Sequence, residues 1–244
     1  MKRLAIAIPT YNEKDNLDGI IRDNREALSE IQIDTTIIII DDNSPDGTGD
    51  IADKLAKEFT TSPFQVTVIH REGKLGLASA YITAFKQAIE KSYDYILTMD
   101  ADFSHKPEYI PAFLEKIAAN DVVIGSRNIK GGSVENWSLI RKFISKGGSF
   151  YSRTILGVNI KDFTAGFVMY KRQVLEKIGL DDIKSEGYSF AIEMKYRVAK
   201  MGFSYVEIPI VFPDRIKGKA KMSRKIFLEA FLRVWQLKFN KILK

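Results

Sequence analysis

Runs of consecutive apolar residues alternate along the chain with longer stretches in which apolar residues recur every three or four positions. Short continuous runs are typical of strands buried on both faces, whereas the wider spacing is typical of amphipathic helices. The pattern predicts buried strands at residues 4–8, 36–40, 65–69, 95–99 and 122–125. It predicts helices between them at residues 17–31, 49–59, 76–91 and 107–119.

This alternation favours an α/β fold in which helices flank a doubly wound, mostly parallel sheet. Ligands bind such sheets beyond the carboxyl ends of the strands. Polar and turn-forming residues follow four of the predicted strands, at positions 9–13, 41–47, 71–76 and 100–102. We therefore expect these four segments to line a ligand site along one edge of the sheet.

The second half of the chain has a looser pattern. It predicts a basic amphipathic segment at residues 137–156, a short strand ending near Tyr170, a helix at 188–201 and an edge strand at 205–212 that contains Pro209. A final helix is predicted at residues 223–243. With no repeat or low-complexity linker in the sequence, we predict one domain over residues 1–222, followed by a basic amphipathic helix over residues 223–244.

The final predicted helix has one apolar face with basic residues and glutamine beside it. Leu228, Phe231, Leu232, Trp235, Phe239 and Ile242 form this face, and Arg233, Gln236, Lys238, Lys241 and Lys244 flank it. Such a helix can lie in the interface of a bilayer and attract anionic lipids. Packing on the protein's own core, or a contact in a dimer, explains the pattern equally well.

Composition and charge limit the chemistry and the location. The 244-residue chain has no cysteine and two histidines, so carboxylates must supply most ligands of any bound metal, as suits Mg²⁺ or Mn²⁺. We expect no signal peptide and no membrane span, and hence a cytoplasmic protein, free or peripheral on the cytosolic face of a membrane. Residues 195–244 carry a net charge of +10 in a chain of net +6. This excess favours an anionic membrane surface, since no recognised nucleic-acid motif accompanies it.

Two aspartates, Asp100 and Asp102, follow the predicted strand at residues 95–99. Alternate residues of a strand share a face, so both carboxylates are expected to project together, with Ala101 pointing away. One Mg²⁺ held by one or two carboxylates and by diphosphate oxygens fits this arrangement. Taken alone, the pair is more typical of a capped strand end than of a metal site.

The segment after the predicted strand at 36–40 begins with Asp41 and Asp42. One of them can contact the base or ribose of a ligand while the other caps the turn. Tyr11 could stack on a base, and Glu13 either contacts a ligand or begins the next helix. We interpret His70 and His105 as structural residues.

Seven motifs occur in order between about residues 4 and 223. They are "IPTYNEKDNL", "IIIIDDNSPDGT", "MDADFSHKPEYIP", "GSRNIKGGSVENWSLIRK", "DFTAGFVMYKR", "EGYSFAIEMKYR" and "EIPIVFPDRIKGKAKMS". They resemble motifs of the inverting glycosyltransferases of family 2, and within that family those of the polyprenyl-phosphate (dolichyl-phosphate) mannosyltransferases. "GGSVENWSLIRK" and "DRIKGKAK" are characteristic of that branch. The resemblance implies a GT-A fold.

The resemblance also implies roles for individual residues. Family contacts to the nucleotide sugar correspond to Pro9, Tyr11, Glu13, Ile40 and Asp42. The metal and diphosphate segment corresponds to Asp100, Ala101 and Asp102, with both aspartates as metal ligands. Basic residues near the donor diphosphate correspond to Arg215 and Lys221, and those near the acceptor phosphate to Arg127 and Arg141. The predicted catalytic residues are Asp102, Arg127, Arg215 and Lys221. Asp162 and Glu193 are candidates to support them, although an ordinary role in a helix or turn is the preferred interpretation of each.

Two positions depart from the family pattern. Relatives often carry glutamine as a metal contact where this chain has Ser104, and serine as a phosphate contact where it has Ala220. Many relatives also continue into membrane-spanning helices, and this chain ends before any. The resemblance leaves open whether a separate membrane subunit takes part.

The implied reaction moves a sugar, mannose from GDP-mannose in the first instance, to a polyprenyl or dolichyl phosphate. A lipid phosphate is already largely ionised near neutral pH, so we assign no catalytic base. We expect in-line attack with inversion, assisted by a divalent metal and by arginines that hold phosphate oxygens. Transfer of glucose or another sugar from a UDP-sugar, a different acceptor, and a catalytically silent nucleotide-binding or membrane module are the alternatives.

Overall fold

A computed structural model describes residues 1–214 and 224–239 of the chain. The strands are β1 (Arg3–Thr10), β2 (Asp34–Asp41), β3 (Thr60–Thr61), β4 (Phe64–His70), β5 (Tyr95–Thr98), β6 (Val122–Ser126), β7 (Ser133–Val134), β8 (Val168–Lys171), β9 (Tyr205–Pro209) and β10 (Val211–Phe212). The α-helices are α1 (Lys14–Ala27), α2 (Thr48–Glu58), α3 (Leu77–Glu90), α4 (Ile110–Ile117), α5 (Leu139–Leu156), α6 (Arg172–Lys177), α7 (Gly187–Lys200) and α8 (Arg224–Phe239). Short 3-10 helices lie at Pro107–Tyr109 and Leu180–Asp182.

Eight of the strands form one mixed sheet in the order β3-β4-β2-β1-β5-β8-β6-β9. Strands β4, β2, β1 and β5 run parallel, as do β6 and β9, whereas β3 and β8 pair antiparallel with their neighbours. The small strands β7 and β10 pair with each other in a separate parallel ladder. The prediction of a mostly parallel sheet is confirmed, and the carboxyl ends of β1, β2, β4 and β5 meet at one edge.

The sheet separates two hydrophobic layers, and the residues of β1 show how the sequence divides them. Leu4, Ile6 and Ile8 face the layer formed with α1, α2 and α4, while Ala5 and Ala7 face the layer formed with α3, α7 and α8. Side chains alternate between the faces of a strand, so a continuous apolar run supplies both layers at once. This two-sided burial explains why β1 has no polar position between Leu4 and Ile8.

Helix α1 begins three residues before the predicted start at residue 17 and ends four residues before the predicted end at residue 31. Ile31 and Ile33 contact the core from the turn that precedes β2, so apolar residues continue past the end of the helix. The pattern of buried positions was therefore correct there, but the helical interpretation of residues 28–31 was wrong. The other predicted helices agree with the structure to within about two residues if the 3-10 helix at Pro107–Tyr109 is counted as the start of the one predicted at 107–119. The exception is the last helix, which is described only as far as Phe239.

The single edge strand predicted at residues 205–212 is wrong. Strand β9 ends at Pro209 on the outer edge of the large sheet, and β10 then pairs with β7 instead. Ile210 still donates its N–H to the carbonyl of Ser126, after which the chain leaves the large sheet. The edge position of β9 itself agrees with the prediction. The pattern did not reveal β3, β7 or α6, which are too short to show a period.

Helix α8 packs on α5 and α7 through Val234 and Leu237, each 1% exposed. The described members of the predicted apolar face are exposed instead: they are Phe231, Leu232, Trp235 and Phe239. The side chain of Leu228 and all of Ile242 lie outside the described part. The prediction of a separate helix after a domain of residues 1–222 stays a prediction, since residues 215–223 are not described. Across residues 1–214 and 224–239, no helix is both long and apolar enough to span a membrane.

We expect Leu237→Ala to lower the free energy of unfolding by about 2–3 kcal/mol, because it removes buried methyl groups beneath α8. The matched control is Leu232→Ala on the same helix, where the side chain is 59% exposed and the expected change is within about 0.5 kcal/mol. Urea denaturation followed by circular dichroism measures both. Equal effects would contradict the packing described for α8.

Candidate active site

The segment containing Asp100 and Asp102 is a turn that starts just after β5, not the end of a strand. Strand β5 ends at Thr98, and Phe103 has a φ angle of 61°, in the left-handed region. The expectation that both carboxylates project from one face of a strand is therefore wrong in its reasoning. The two aspartates have different surroundings, which the structure defines separately.

Asp100 is held from two sides. The buried hydroxyl of Tyr81 on α3 donates to Asp100 Oδ1 at 3.3 Å, and Nδ1 of His105 accepts the backbone N–H of Asp100 at 2.9 Å. An accepting Nδ1 carries no proton, so this contact corresponds to neutral His105 with the proton on Nε2. Burial, followed by the charge of Asp100, raises the pKa of Tyr81, which keeps the hydroxyl protonated as a donor. His105 thus has the structural role that we predicted.

Asp102 is oriented by Ser104. The backbone N–H and the hydroxyl of Ser104 both donate to Asp102 Oδ1, at 3.1 Å and 2.5 Å. Both residues are buried, with exposed fractions of 6% for Asp102 and 1% for Ser104. At position 104 the family resemblance implies glutamine as a metal contact. The serine found here contacts the carboxylate of Asp102.

The two carboxylates fit a divalent metal that shares its ligands with a substrate. Within the described residues, no group of three or more histidine or acidic side chains could hold a metal by itself. Mg²⁺ is typically bound by one or two carboxylates together with phosphate oxygens and water. Asp100 and Asp102 could supply the protein's part of such a set, next to the carboxyl end of β5.

The two aspartates at the end of β2 have separate tasks. Asp41 accepts hydrogen bonds from Thr10 Oγ1 and from the backbone and hydroxyl of Ser44, so it caps the turn. Asp42 forms a buried ion pair with Arg71, whose Nε lies 2.5 Å from Asp42 Oδ1. The sequence left open which aspartate caps the turn, and the structure assigns that task to Asp41.

Arg71 is a residue that sequence reasoning missed. Besides Asp42, its guanidinium contacts Ser79 Oγ at 2.7 Å and the carbonyl of Gly76 at 3.0 Å, where α3 begins. It therefore joins the ends of β2 and β4 to the start of α3. Its position directly after an apolar strand was the only available signal.

Tyr11 and Glu13, two predicted nucleotide-sugar contacts, lie in the segment between β1 and α1. The ammonium of Lys74 lies 4.1 Å from the centre of the Tyr11 ring, so a base stacking there would meet a cation. Glu13 precedes α1: its carbonyl accepts the N–H groups of Asn16 and Leu17, and its carboxylate accepts the side-chain amide of Asn16. The second alternative for Glu13, the start of a helix, is thus present in the structure.

Three further predicted contact positions are limited by burial. Ile40 and Ala101 are 0% and 3% exposed, and their side chains belong to the hydrophobic layers. Only their backbone groups could contact a nucleotide sugar. Pro9, half-buried at the end of β1, lies in the same register as Ile40 on β2. The structure therefore brings Pro9 and Ile40 together at the carboxyl edge of the sheet.

Arg127, at the end of β6, is bound to a buried carboxylate. Its Nε and Nη2 each lie 2.7 Å from an oxygen of Asp162, and Nη2 also contacts Thr164 at 2.8 Å. Burial alone would raise the pKa of Asp162, but the charge and hydrogen bonds of Arg127 lower it below the ordinary value. Asp162, which the sequence offered only as a candidate supporting residue, is therefore the fixed anion of this region.

Arg141 lies in the first turn of α5 and approaches Arg127 through Trp137. The Arg141 guanidinium lies 3.8 Å from the centre of the Trp137 ring, and that of Arg127 lies 5.6 Å from it. Arg141 Nη1 also contacts Asp214 at 2.5 Å. The structure thus brings together the two arginines that were predicted to contact the acceptor phosphate. Arg215 and Lys221, the predicted donor contacts, lie outside the described residues.

Behind Arg127 lies a second buried cation, Lys195 of α7, that the sequence did not single out. Its Nζ donates to the carbonyl groups of Ala165 at 2.6 Å, Phe163 at 3.2 Å and Ala191 at 3.3 Å. Burial lowers the pKa of Lys195 to about 7, and the charge of Asp162 opposes this shift. Lys195 therefore fixes the backbone of the loop that carries Asp162.

Glu193, the other candidate supporting residue, joins α7 to α8. Its buried carboxylate accepts hydrogen bonds from Ser185, from Arg197 at 2.7 Å and from Arg233 of α8 at 3.0 Å. Burial acts to raise the pKa of Glu193, but these hydrogen bonds lower it overall. None of these partners is a predicted donor or acceptor contact, so Glu193 acts in the packing of the two helices.

The depressed pKa of Lys195 predicts a pH-dependent stability. Its ordinary pKa is about 10.5, so between pH 7 and pH 9 the unfolded chain binds more protons at this lysine, and the free energy of unfolding rises with pH. We expect a gain of about 2 kcal/mol over this interval. Denaturant unfolding at several pH values measures it.

The control for this prediction is Lys195→Met, in which the gain between pH 7 and pH 9 should disappear. Lys86→Met removes a lysine that is paired with Asp181 on the surface and should keep the wild-type slope. A wild-type profile that is flat, or parallel to that of Lys195→Met, would contradict the assignment.

Comparison with known proteins extends these observations to a family. The sequence matches the family described as "Glycosyl transferase family 2" over residues 5–179. One relative, undecaprenyl-phosphate mannosyltransferase of Micrococcus luteus, is 44% identical over 232 residues, which cover 95% of this chain and 92% of that protein. Another, polyprenol monophosphomannose synthase of Mycolicibacterium smegmatis, is 43% identical over 234 residues, which cover 96% and 86%.

Solved structures show the same fold. Glucosyl-3-phosphoglycerate synthase from Mycobacterium tuberculosis in complex with Mg²⁺ and uridine diphosphate has a TM-score of 0.66 and 16% identity, covering 96% of this chain and 80% of that one. The similarity confirms the predicted GT-A architecture. Together with the family match, the two relatives lead to one conclusion: the chain belongs to glycosyl transferase family 2, is a glycosyltransferase, and within the family resembles the polyprenyl-phosphate mannosyltransferases.

Proposed function

We propose that this glycosyltransferase moves mannose from GDP-mannose to a polyprenyl phosphate, with inversion at the anomeric carbon and with a divalent metal, Mg²⁺ or Mn²⁺. The observation that carries the proposal is the identity of 43–44%, over nearly the whole chain, to two proteins named for mannosyl transfer to such lipids. The arrangement of acids and arginines around the edge of the sheet supports it, because it offers one place for a diphosphate and another for a phosphate.

On the donor side, Asp100 and Asp102 would hold the metal, which when bound neutralises the diphosphate of the nucleotide sugar. Tyr81, His105 and Ser104 keep the two aspartates in place by the hydrogen bonds described above. Asp42, oriented by Arg71, would be the carboxylate beyond β2 that contacts the nucleoside. Arg215 and Lys221 remain predicted contacts of the diphosphate.

On the acceptor side, Arg127 and Arg141 would hold the lipid phosphate. A phosphate oxygen attacks the anomeric carbon, the bond from that carbon to the donor diphosphate breaks, and its electron pair leaves with the nucleoside diphosphate. The attacking oxygen needs no base, since a phosphate monoester is largely ionised near neutral pH. Arginine suits the task because its planar guanidinium can donate to two phosphate oxygens at once and so fix the orientation of the phosphate.

The acceptor's polyprenyl chain requires contact with a membrane, and the N-terminal part of α5 is suited to it. Leu139, Ile140 and Phe143 are 74–82% exposed, and Lys142 and Lys146 lie among them. Exposed apolar side chains beside lysines are typical of helices that bind anionic bilayers. Arg141 belongs to the same turns, so the predicted phosphate contact would lie close to the headgroups. We propose peripheral attachment on the cytosolic face.

Label transfer tests the reaction. We expect the protein with Mg²⁺ to move radiolabel from GDP-mannose into the organic phase when a polyprenyl phosphate is present. Asp102→Ala should lower the turnover number by about 100-fold or more, because the charge that develops on the leaving diphosphate loses its stabilisation. Thin-layer chromatography of the extracted lipid measures the product.

The control is Asp181→Ala, which removes an exposed carboxylate whose partner is Lys86 and should retain wild-type transfer. A parallel incubation with UDP-glucose tests the alternative donor, and label in the lipid from that donor alone would replace mannose with glucose. Absence of labelled lipid with every donor would contradict the function, and unchanged turnover of Asp102→Ala would contradict the metal site.

Vesicle flotation tests the membrane surface. Replacing Leu139, Ile140 and Phe143 together with serine should lower binding to vesicles of anionic phospholipid by about 10-fold or more, because three exposed apolar side chains no longer enter the bilayer. Met201→Ser, at a site that is 44% exposed at the end of α7, is the control and should bind like wild type. Equal binding of the triple variant would exclude this part of α5 as the contact.

A further inference from the structure

The turn that carries Asp102 contains an unusual backbone conformation. Phe103 has a φ angle of 61°, in a region that residues with a Cβ atom rarely adopt. Such residues persist only where the surrounding structure holds them, and they are concentrated at sites where geometry must be fixed.

A second turn in the same chain shows what the conformation costs. In Asp46-Gly47-Thr48, the backbone and hydroxyl of Thr48 donate to Asp46 Oδ1 at 3.0 Å and 2.6 Å, as Ser104 does to Asp102. The middle residue there is Gly47, with a φ angle of 90°. Glycine adopts such angles without steric cost. The two turns thus share the same hydrogen bonds. Their middle residue is Gly47 after β2, but after β5 it is Phe103, whose backbone is strained.

The ring of Phe103 lies against α1, where Gly19 leaves room for it. A Cβ atom at Gly19 would lie 2.9 Å from Cζ of Phe103, closer than real contacts of this kind. The ring is partly buried on the layer that contains Leu17 and Ile20 of the same helix. A side chain at position 103 therefore attaches the turn to α1, which glycine at that position could not do.

We propose that Phe103 and Ser104 are positioning residues for Asp102. The Phe103 ring packs against Gly19 and so holds the turn in place. The Ser104 hydroxyl orients the Asp102 carboxylate, which would bind the metal on the donor diphosphate. This inference rests on the proposed function. It gives Ser104 a task other than that of a metal ligand. Helix α1 begins one residue after Glu13. The contact between Phe103 and Gly19 therefore also joins the turn that carries Asp102 to the helix that follows the predicted nucleotide contacts.

Metal binding tests the inference without turnover. The measurement is the electron paramagnetic resonance signal of free Mn²⁺, titrated against the protein in the presence of GDP. We expect Ser104→Ala to weaken Mn²⁺ binding by about 5- to 10-fold, because Asp102 loses its hydroxyl donor, and Phe103→Gly to weaken it by about 10-fold or more. Gly19→Ala should weaken Mn²⁺ binding less than Phe103→Gly does, because the new methyl group would displace the Phe103 ring without removing it.

The matched control is Ser204→Ala, because Ser204 contacts Asp121 just before the start of β6 and is not part of the proposed site. There Ser204 donates its backbone N–H and its hydroxyl to Asp121 Oδ2, at 3.0 Å and 2.8 Å, which is the same two-donor contact. It should bind Mn²⁺ like wild type, so it separates loss of a serine–carboxylate contact from loss of metal geometry. Circular dichroism of every variant identifies any that fail to fold, and Ser104→Ala is the mildest change.

The outcomes distinguish this inference from the proposed function. Wild-type binding of Mn²⁺ with unchanged affinity in Ser104→Ala and Phe103→Gly would overturn the positioning roles and leave the proposed function intact. Absence of Mn²⁺ binding by the wild-type protein with GDP would contradict the metal-dependent function and this inference together. Equal losses in Ser204→Ala and Ser104→Ala would also overturn it, because a general loss of stability would then explain both.

Discussion

The buried ion pair between Arg127 and Asp162 is the contact on which the proposed acceptor side of the site depends. Asp162 is fully buried and accepts hydrogen bonds from the backbone N–H, Nε and Nη2 of Arg127, while Glu207 of β9 accepts the N–H of Asp162 itself. Removal of either partner would leave an unpaired charge in the interior, which is strongly destabilising. The end of β6, the loop at residues 158–167, and β9 are therefore fixed relative to one another before any ligand binds.

The donor side is connected to this pair through aromatic packing. His105, which accepts the N–H of Asp100, lies against Phe167 and Phe212 with ring centres 4.9 Å and 5.4 Å away. Phe212 in turn meets Trp137 edge-on at 5.6 Å, and Trp137 lies beside both arginines. Rings in a close-packed interior have few alternative positions. The distance between the turn that carries Asp100 and Asp102 and the two arginines is thus set by packing, as the proposed transfer between two anions would require.

The sequence predicted the features that depend on periodicity and on the ends of strands. Ile37 to Ile40 could be assigned to a strand buried on both faces, and the polar segments after such strands had to meet at one edge. It could not predict partners that lie far apart along the chain. Arg71 pairs with Asp42 and Lys195 with the carbonyl of Ala165, over separations of 29 and 30 residues.

The turn that carries Asp100 and Asp102 does follow β5, as predicted, but the reasoning about its side chains was wrong, for a related reason. Strand alternation was extended to Asp100 and Asp102, beyond Thr98 where β5 ends. A phenylalanine with positive φ cannot be foreseen from residue preferences, because its cost is met by contacts with another helix. Ser104 departs from the family pattern, so sequence comparison treated it as a lost contact. In the structure, its hydroxyl instead donates to Asp102.

The two arginines near the predicted acceptor site differ in how firmly their carboxylate partners are held. Arg127 and Asp162 are 7% and 0% exposed, whereas Arg141 and Asp214 are 28% and 37% exposed. Exposed ion pairs contribute at most about 1 kcal/mol, so a phosphate can displace Asp214 at little cost, while displacing Asp162 would strand a buried charge. Under the proposed function, Arg141 would therefore be the arginine that exchanges its carboxylate for the incoming lipid phosphate. Arg127 would keep its carboxylate and meet the same phosphate as a cation whose position is already fixed, which reduces the ordering that binding must still achieve.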